Sequence, residues 1–299
     1  MFSDLKGFAQ FISVERGLMV LMISVGASFL MGEALVWSDA LLLGVITFCI
    51  WSAADAINNI FDVDLDVLSD PFRAEFTKKL GKLGLFIAMF FTALSLALGA
   101  FTMTPYVMLF TAIGILFGVL YSVPPFRLRK TAYKPSVNFT VGAVPILIVA
   151  AFFNIFTINI VALVLLIGIT TAVNSLWEDL ADYASDSASG SRTIPVILGY
   201  KKGLIFTIIM GYVLIPLMVL VGALFQLGWT YYLSLAALSA FVTLRVVQKR
   251  RTLLKNHGED KKQLFKLGEV LAKDFVIIAI VFTLSLMLSS LLKISPSFF

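Results

Sequence analysis

The side chains that most often bind metals or carry redox chemistry are nearly absent from this chain of 299 residues. It holds one cysteine, Cys49, and one histidine, His257. One cysteine cannot build a disulfide framework, and a lone histidine without cysteines does not match a zinc site. We therefore interpret His257 as a surface residue. Any metal bound by this protein must be held by oxygen ligands.

Charge is also scarce, whereas long apolar runs are abundant. Charged residues make up 14% of the chain, hydrophobic residues make up 60%, and the mean hydropathy is +0.97. An apolar run of roughly 18 residues can cross a hydrocarbon core that is ~30 Å thick. The sequence therefore predicts an all-α integral membrane protein, a single domain over residues 1–299. The nine predicted spans are 10–31, 39–61, 83–101, 105–122, 137–153, 159–177, 203–225, 228–246 and 274–292.

The basic residues are distributed very unevenly between the connections. Of the 23 lysines and arginines, 22 fall in the N-terminal end or in the loops after spans two, four, six and eight. The positive-inside rule places those segments in the cytoplasm and the C-terminus on the opposite side. The basic charge is thus explained by topology and does not predict a nucleic-acid partner. Lysines spaced through 249–273 predict an interfacial helix on anionic lipid.

Two acidic motifs follow the same four-residue spacing at the ends of two spans. The first is Asn58, Asp62 and Asp66, and the second, 120 residues later, is Glu178, Asp182 and Asp186. Residues four apart share one face of a helix, and like charges at that spacing repel unless a cation lies between them. Carboxylate and amide oxygens without histidine or cysteine suit a hard divalent cation, and Mg²⁺ commonly binds one or two carboxylates plus a substrate phosphate.

Other ionisable residues lie close to these motifs. Asp55 stands one heptad before Asp62, and a charge that deep in a span costs roughly 2.5 kcal/mol or more, which predicts a functional role. Arg16 either snorkels to the headgroups or faces a polar cavity. Arg73 follows Asp66 closely enough to face the same site. The remaining loop cations either reach the site or only set topology: Lys78, Lys79, Arg127, Arg129 and Lys130.

The charge balance favours a diphosphate substrate. Spans 1–4 and 5–8 resemble two similar halves, which would place the acidic motifs at equivalent, facing positions around a central cavity. Four carboxylates are balanced by two Mg²⁺ ions, which bind diphosphate oxygens strongly. A diphosphate at the mouth of an apolar helical cavity indicates an isoprenyl diphosphate. Loss of pyrophosphate then leaves an allylic cation that an acceptor captures.

At these motifs the sequence resembles the UbiA-type intramembrane prenyltransferase family over essentially its whole length. The family's first motif, Asn-Asp-x-x-Asp-x-x-x-Asp, corresponds to Asn58 through Asp66, with Asn59 in place of the first aspartate. Its second motif falls on Asp182 and Asp186, and is followed by the Gly-x-Arg-Thr-x-Pro run from Gly190. The Tyr-Ser-x-Pro-Pro-x-Arg-Leu segment at 121–128 also matches. The family's usual Arg-Pro is replaced here by Pro71-Phe72-Arg73.

The resemblance implies Mg²⁺-dependent transfer of an isoprenyl group, geranylgeranyl-like in length, to a quinone precursor, an aromatic compound or a glycerol-phosphate ether. It implies that the metal ligands and catalytic residues are Asp62, Asp66, Asp182 and Asp186, with Asp179 as a further metal ligand. The predicted diphosphate-binding residues are Asn58, Asn59, Arg73, Tyr121, Arg127, Lys130 and Arg192. The oligomeric state stays open.

Two other functions are compatible with acids inside a membrane. A transporter could use them to move a cation between two repeats. The position of the paired acids at the membrane surface and the cations beside them argue against it, because those cations would repel a transported cation. Phospholipid headgroup transfer is less well matched, because the first motif lacks the Asp-Gly and Ala-Arg elements of that class.

Overall fold

The computed structural model describes residues 2–32, 37–255 and 261–294, and within these ranges every regular element is a helix. Glu33, in the predicted connection between spans one and two, and the histidine His257 lie outside them. The α-helices are α1 Phe2–Phe11, α2 Val14–Met31, α3 Trp37–Ser69, α4 Pro71–Leu80, α5 Lys82–Phe101, α6 Pro105–Ser122, α7 Lys134–Phe152, α8 Ile158–Ala181, α9 Tyr183–Ala188, α10 Ile194–Leu198, α11 Tyr200–Leu224, α12 Trp229–Lys255 and α13 Lys261–Ile294. A 3₁₀ turn covers Leu128–Lys130.

Nine helices in the described part of the chain are long and apolar enough to cross a membrane. They are α2, α3, α5, α6, α7, α8, α11, α12 and α13, and the membrane-spanning stretch of each lies within a few residues of a predicted span. The predicted count of nine is therefore confirmed for these residues. The predicted polytopic, all-helical fold class is confirmed with it.

The chain divides into two compact units, each described here by itself. Unit 1 comprises Met1–Leu128 and Val144–Phe156. Its central element is α3, which packs against α2, α4, α5 and α6. Small side chains let α2 approach α3 closely, and Ser24 Oγ and Thr47 Oγ1 form a buried hydrogen bond of 2.9 Å between the two helices. Helices in membranes associate through such small and hydroxyl-bearing contacts.

The segment that follows α3 is more ordered than the sequence predicts. The sequence predicts a loop between spans two and three, but α3 continues to Ser69 and α4 begins at Pro71. Proline fits the first helical position because its missing N–H would be unpaired there. The side chain of Asp70 caps α4 by accepting a hydrogen bond from the backbone N–H of Arg73 at 3.1 Å. The prediction of a loop was wrong because these capping signals outweigh the polar composition.

Unit 2 comprises Arg129–Ala143 and Thr157–Phe299. In it, α8 packs against α10, α11 and α13. The first half of α7 lies against α8 through Thr171, whose hydroxyl donates to the Asn138 carbonyl at 2.8 Å. The boundary between the units falls within α7, just before Pro145. The division therefore differs from the predicted halves, because the fifth span is shared and the ninth belongs to unit 2.

Two predicted loops of unit 2 also contain helix. The small-residue segment 187–200 holds the end of α9 and all of α10. The basic segment 249–273 was predicted as a separate interfacial helix, but α12 continues to Lys255 and α13 starts at Lys261. The described backbone there extends the neighbouring spans. The described residues of this segment are therefore helical, and their position on anionic lipid stays a prediction.

Candidate functional site

The first acidic group lies in unit 1, at the end of α3 that precedes α4. Asp62 is fully buried, and its Oδ1 accepts a hydrogen bond from Arg127 Nη2 at 2.7 Å. The same Arg127 nitrogen also donates to the Phe61 carbonyl at 3.0 Å. Arg127 follows the Pro124-Pro125 pair and has a left-handed backbone with φ of 39°. The stiff segment after α6 therefore places one guanidinium directly on the first motif.

Asn58 joins the same group from one turn earlier. Its Oδ1 accepts a hydrogen bond from Ser122 Oγ, the last residue of α6, at 3.0 Å. Tyr121 is the preceding residue of α6 and is half-buried. Asp66 lies on the described backbone of α3, but its side chain is outside the described part of the structure. The structure thus brings together Asn58, Asp62 and Arg127 among the predicted residues of unit 1.

Asn59 and Arg73 lie elsewhere in unit 1. Asn59 is only 1% exposed, and its Nδ2 donates to the Phe11 carbonyl at 2.8 Å. One residue along a helix rotates the side chain by about 100°, so Asn59 points to α1 while Asn58 points to α6. The amide nitrogen of Asn59 is thus bound to α1, and its assignment to the diphosphate group stays a prediction. Arg73 Nε lies 3.9 Å from Asp70 Oδ2, and its charge acts on Asp55.

The second acidic group lies in unit 2 and is organised around Lys134. This lysine is 7% exposed, and its Nζ lies 2.5 Å from Asp179 Oδ1 and 3.9 Å from Glu178 Oε2. Asp179 is itself fully buried, and its Oδ2 has no hydrogen-bond partner. Glu178 accepts a further hydrogen bond from Asn174 Nδ2 at 3.2 Å. Lys134 thus compensates two acids of the second motif.

Asp182 and Asp186 complete this group, and no lysine or arginine of the described chain forms an ion pair with either. Asp182 stands where α8 ends and α9 begins, and Asp186 accepts a hydrogen bond from Thr193 Oγ1 at 3.4 Å. Burial raises the pKa of both carboxyls. The charges of Lys134 and Arg129 oppose that rise in both cases, and the mutual repulsion of the acids adds to the rise at Asp182. The described lysines and arginines therefore act on these two carboxyls without forming an ion pair with them.

Two loops meet beside the second group. The backbone N–H of Arg192 donates to the Lys130 carbonyl at 2.8 Å, and the N–H of Ser191 donates to the Asp186 carbonyl at 3.0 Å. The run after Gly190 is therefore tied both to the turn at Leu128–Lys130 and to the acidic motif. Arg192 itself is exposed and Lys130 is half-buried. Both predicted cations consequently belong to the surroundings of this group.

Sequence reasoning missed Lys134, Glu178 and Ser122 as site residues. Lys134 was counted only as one of the topology-setting cations. A usable signal was its position at the start of a span whose own sequence has no acidic residue to pair with it. Glu178 belongs to the second acidic motif with its four-residue spacing, but the sequence predicts no role for it. Ser122 carries no comparable signal, because a serine at a helix end is common.

Oxygen ligands for a metal are present, although the described residues contain no cluster of three or more acidic, histidine or cysteine side chains in metal-binding geometry. Asp182 and Asp186 have carboxylates without an ion-pair partner, and Asp179 offers a buried oxygen without a partner. Such a set suits a hard divalent cation of the Mg²⁺ type. The oxygens of Asp182 and Asp186 therefore suit the predicted metal, whose ligands stay a prediction, and Asp179 is already bound by Lys134.

An apolar pocket lies within unit 2, next to the second acidic group. Its volume is ≈ 150 Å³, and α8, α11, α12 and α13 contribute its walls. Asn174 lines this pocket and also donates to Glu178 of the acidic group. Arg245 and Asp274, which pair at 2.9 Å, line another part of it. The pocket is therefore mainly apolar and is linked to the acidic group through Asn174.

A sequence model of the UbiA prenyltransferase family matches residues 19–270. The chain belongs to this family. Digeranylgeranylglyceryl phosphate synthase of Methanosarcina mazei is 26% identical over 242 residues, 79% of this chain and 80% of that protein. Chlorophyll synthase of Arabidopsis thaliana is 25% identical over 219 residues, 70% of this chain and 55% of that protein.

Solved structures agree on the fold. A UbiA homologue from Archaeoglobus fulgidus aligns with a TM-score of 0.70 at 16% identity, over 95% of this chain and 99% of that one. The same homologue bound to GPP and Mg²⁺ aligns with a TM-score of 0.68 at 16% identity, over 94% of this chain and 99% of that one. The predicted membership of the prenyltransferase family is confirmed, and the transporter alternative falls away.

Proposed function

We propose that this membrane prenyltransferase moves an isoprenyl group from a prenyl diphosphate to a lipophilic acceptor in an Mg²⁺-dependent reaction. Relatives solved with GPP or DMAPP and Mg²⁺ support the donor and the metal. Relatives named digeranylgeranylglyceryl phosphate synthase favour a geranylgeranyl-like donor and a glycerol-phosphate ether among the predicted acceptors. A quinone precursor or another aromatic acceptor remains compatible with the site.

The observation that carries this proposal is the unbalanced pair Asp182 and Asp186. Their carboxylates stand four residues apart and form no ion pair with a lysine or arginine of the described chain. Lys134 pairs instead with Asp179 and Glu178. Half-buried carboxylates that are only partly compensated are costly to ionise. A divalent cation lowers that cost and, once bound, attracts the oxygens of a diphosphate. Among helical membrane proteins, this donor set suits a metal–diphosphate substrate.

Different residues of the chain would bind the Mg²⁺ ion and the diphosphate. The proposed Mg²⁺ ligands are Asp182 and Asp186 in unit 2 and Asp62 and Asp66 in unit 1, and a bound Mg²⁺ ion would withdraw charge from the departing diphosphate. Arg127 and Asn58 hold the first motif in position and offer donors to phosphate oxygens. Side chains further out would bind the diphosphate: Arg73, Tyr121, Lys130 and Arg192. Fixed cations of this kind stabilise the charge that develops as the leaving group departs.

The pocket of unit 2 offers room for part of the isoprenyl tail. An apolar cavity of about 150 Å³ holds a group the size of benzene, roughly six carbon atoms. That corresponds to about one isoprene unit, with the rest of the tail among apolar side chains along the helices. The link through Asn174 and Glu178 places the pocket beside the charged group that would bind the diphosphate.

The test is binding of a prenyl diphosphate with and without Mg²⁺, together with transfer to an acceptor panel analysed by mass spectrometry. Asp62→Asn and Asp182→Asn should each lower transfer by roughly 100-fold, the scale of losing one group that stabilises transition-state charge. Asp39→Asn, the same substitution at the other end of α3, is the matched control and should leave transfer unchanged. Unchanged transfer in folded Asp62→Asn or Asp182→Asn protein would contradict the proposal.

A further inference from the structure

We infer that the polar end of the pocket in unit 2 binds the head group of the acceptor, and that this head group is anionic and carries a hydroxyl. The inference rests on the proposed function and names the acceptor class within it. The polar end consists of Arg245, Lys249 and Asp274, which are the charged residues that line the pocket in the described part of the chain. An isoprenyl tail has no polar group, so binding of the tail does not account for this end of the pocket.

The polar end lies at the surface of the membrane, and the rest of the pocket reaches into one leaflet. Lys249 is the last residue of the membrane-spanning stretch of α12, and Asp274 is the first residue of that of α13. From Lys249 to Leu238, which lines a deeper part of the pocket, α12 rises by about 16 Å, about half of a ~30 Å hydrocarbon core. The pocket therefore suits an amphipathic molecule whose head group lies at the surface and whose chain lies in the same leaflet.

Arg245 and Asp274 hold each other in place and still have atoms that can bind a ligand. Arg245 Nη2 lies 2.9 Å from Asp274 Oδ1, and the guanidinium carbon lies 5.3 Å from the ring centre of Phe241, another lining residue. Asp274 is only 6% exposed, yet its Oδ2 has no hydrogen-bond partner among the described residues, and neither has Arg245 Nε. Buried polar atoms without partners are uncommon and costly. A hydroxyl suits both atoms, because it can donate to Oδ2 and accept from the Nε–H group.

Lys249 adds a positive charge that the ion pair does not neutralise. Arg245 and Asp274 compensate each other, and Lys249 forms no ion pair with a described residue. Its side chain is half-buried and lines the pocket. Setting the topology explains a lysine at this level of the membrane but does not require it to line a pocket. A phosphate on the ligand would balance this charge through charge-assisted hydrogen bonds.

The same pocket is linked to the second acidic group. Asn174, on its α8 wall, donates to Glu178 at 3.2 Å. A head group at Lys249 and a donor beside the second acidic group would therefore be bound along one pocket, whose apolar part stays available for an isoprenyl chain. Among the proposed acceptors, a glycerol-phosphate ether has the phosphate, the hydroxyl and the chain that suit this pocket. A neutral quinone precursor lacks the phosphate.

The decisive variant is Lys249→Met, assayed with geranylgeranyl diphosphate, Mg²⁺ and two acceptors that share one chain: a glycerophosphate monoether and the glycerol monoether that lacks the phosphate. The KM of the phosphate-bearing acceptor should rise by roughly 10- to 100-fold, the effect of losing a hydrogen bond to a charged group. Its kcat and the binding of the donor should stay within about twofold of wild type, because the contact holds the acceptor equally before and during transfer. The KM of the glycerol monoether should stay the same.

Two variants serve as controls. Lys249→Arg keeps the charge and should keep the preference for the phosphate-bearing acceptor. Lys202→Met removes an exposed lysine near the start of α11 that does not line the pocket, and it should leave both KM values unchanged. Equal KM changes for the two acceptors in Lys249→Met, or a parallel loss of donor binding in it, would overturn the inference.

Binding to the unmodified protein tests the inference without any substitution. The glycerophosphate monoether should bind roughly 10-fold or more tightly than the glycerol monoether and than its own deoxy analogue without the hydroxyl. Free glycerol phosphate should compete weakly, because it has no chain for the apolar part. Equal affinity for any of these three and the glycerophosphate monoether would overturn the inference. Failure of wild-type protein to bind the donor would instead contradict the proposed function.

Discussion

Two lysines of this chain show how strongly the role of a charge depends on burial. Lys134 and Lys79 each form one close ion pair, with Asp179 and Asp4 respectively. The side chain of Lys134 is 9% exposed and that of Lys79 is 70% exposed. An exposed pair is screened by water and contributes little, whereas breaking a buried pair strands a charge in an apolar region.

Lys134→Met should therefore destabilise unit 2 strongly. We expect a loss of about 3–5 kcal/mol in the free energy of unfolding, because Asp179 is left buried and unpaired. Adding Asp179→Asn should restore part of the loss, and Lys79→Met should have no measurable effect. Thermal unfolding in detergent gives the comparison. Equal unfolding midpoints for Lys134→Met and Lys79→Met would show that burial does not determine how much an ion pair contributes to stability.

The carboxyls of Asp182 and Asp186 predict a pH dependence of metal binding. Burial raises the pKa of both in the folded state, so their ionisation opposes folding above the folded pKa, and protonation relieves this cost as the pH falls. As the pH falls from neutral to about 4, the ordinary pKa of aspartate, the free energy of unfolding of the metal-free protein should therefore rise. The Asp182→Asn/Asp186→Asn variant, which lacks both carboxyls, should not show this rise.

Protons and Mg²⁺ compete for the same oxygens, so the rise in unfolding midpoint caused by Mg²⁺ should shrink over that same range. Thermal unfolding at several pH values, with and without Mg²⁺, measures both effects. A stabilisation by Mg²⁺ that stays constant on acidification would show that the ion binds elsewhere.

At the scale of helices, α3 owes its central place in unit 1 to close approaches by its neighbours. Gly118 of α6 is an example, since a Cβ added there would lie 2.7 Å from Ala54 Cβ and 3.3 Å from Ala54 Cα. No side-chain rotation relieves a clash with a helix backbone and its Cβ. The glycine is therefore needed to bring α6, and with it Ser122 and the Arg127 segment, against α3.

Gly118→Ala should consequently move α6 away from α3. We expect a loss of about 1–3 kcal/mol in stability, the usual range for overpacking, and weaker donor binding because Arg127 shifts from Asp62. Gly228→Ala, in the connection just before α12, is the control, because no neighbouring atom lies within 4 Å of the added Cβ. Unfolding midpoints and donor affinity measure the two effects. Similar behaviour of both variants would argue against close packing at Gly118.

At the scale of the whole molecule, the distribution of basic residues predicts the orientation in the membrane. Ser136 and Ser189 follow basic segments and are exposed, whereas Thr157 lies in an exposed connection without lysine or arginine. In a Cys49→Ala background, an impermeant thiol reagent added outside cells should label Thr157→Cys but neither Ser136→Cys nor Ser189→Cys. Inverted vesicles should reverse the pattern. Labelling of Ser136→Cys or Ser189→Cys from outside would contradict the predicted topology.

The sequence alone determined the fold class, the span count and the two acidic motifs. These follow from local quantities: an apolar run long enough to cross the bilayer, a four-residue spacing and a charge bias between loops. Asn58, Asp62, Asp182 and Asp186 could be chosen on that basis, because each lies on a predictable face of a helix end.

Only the tertiary structure decided which charges meet. Arg127 pairs with Asp62 across 65 residues, and Lys134 pairs with Asp179 across 45. Asn59, one residue from Asn58, turns to α1 and holds the Phe11 carbonyl. Helix periodicity states which residues share a face but not which neighbour that face will meet. That choice depends on how side chains of distant segments pack together, and no local pattern contains it.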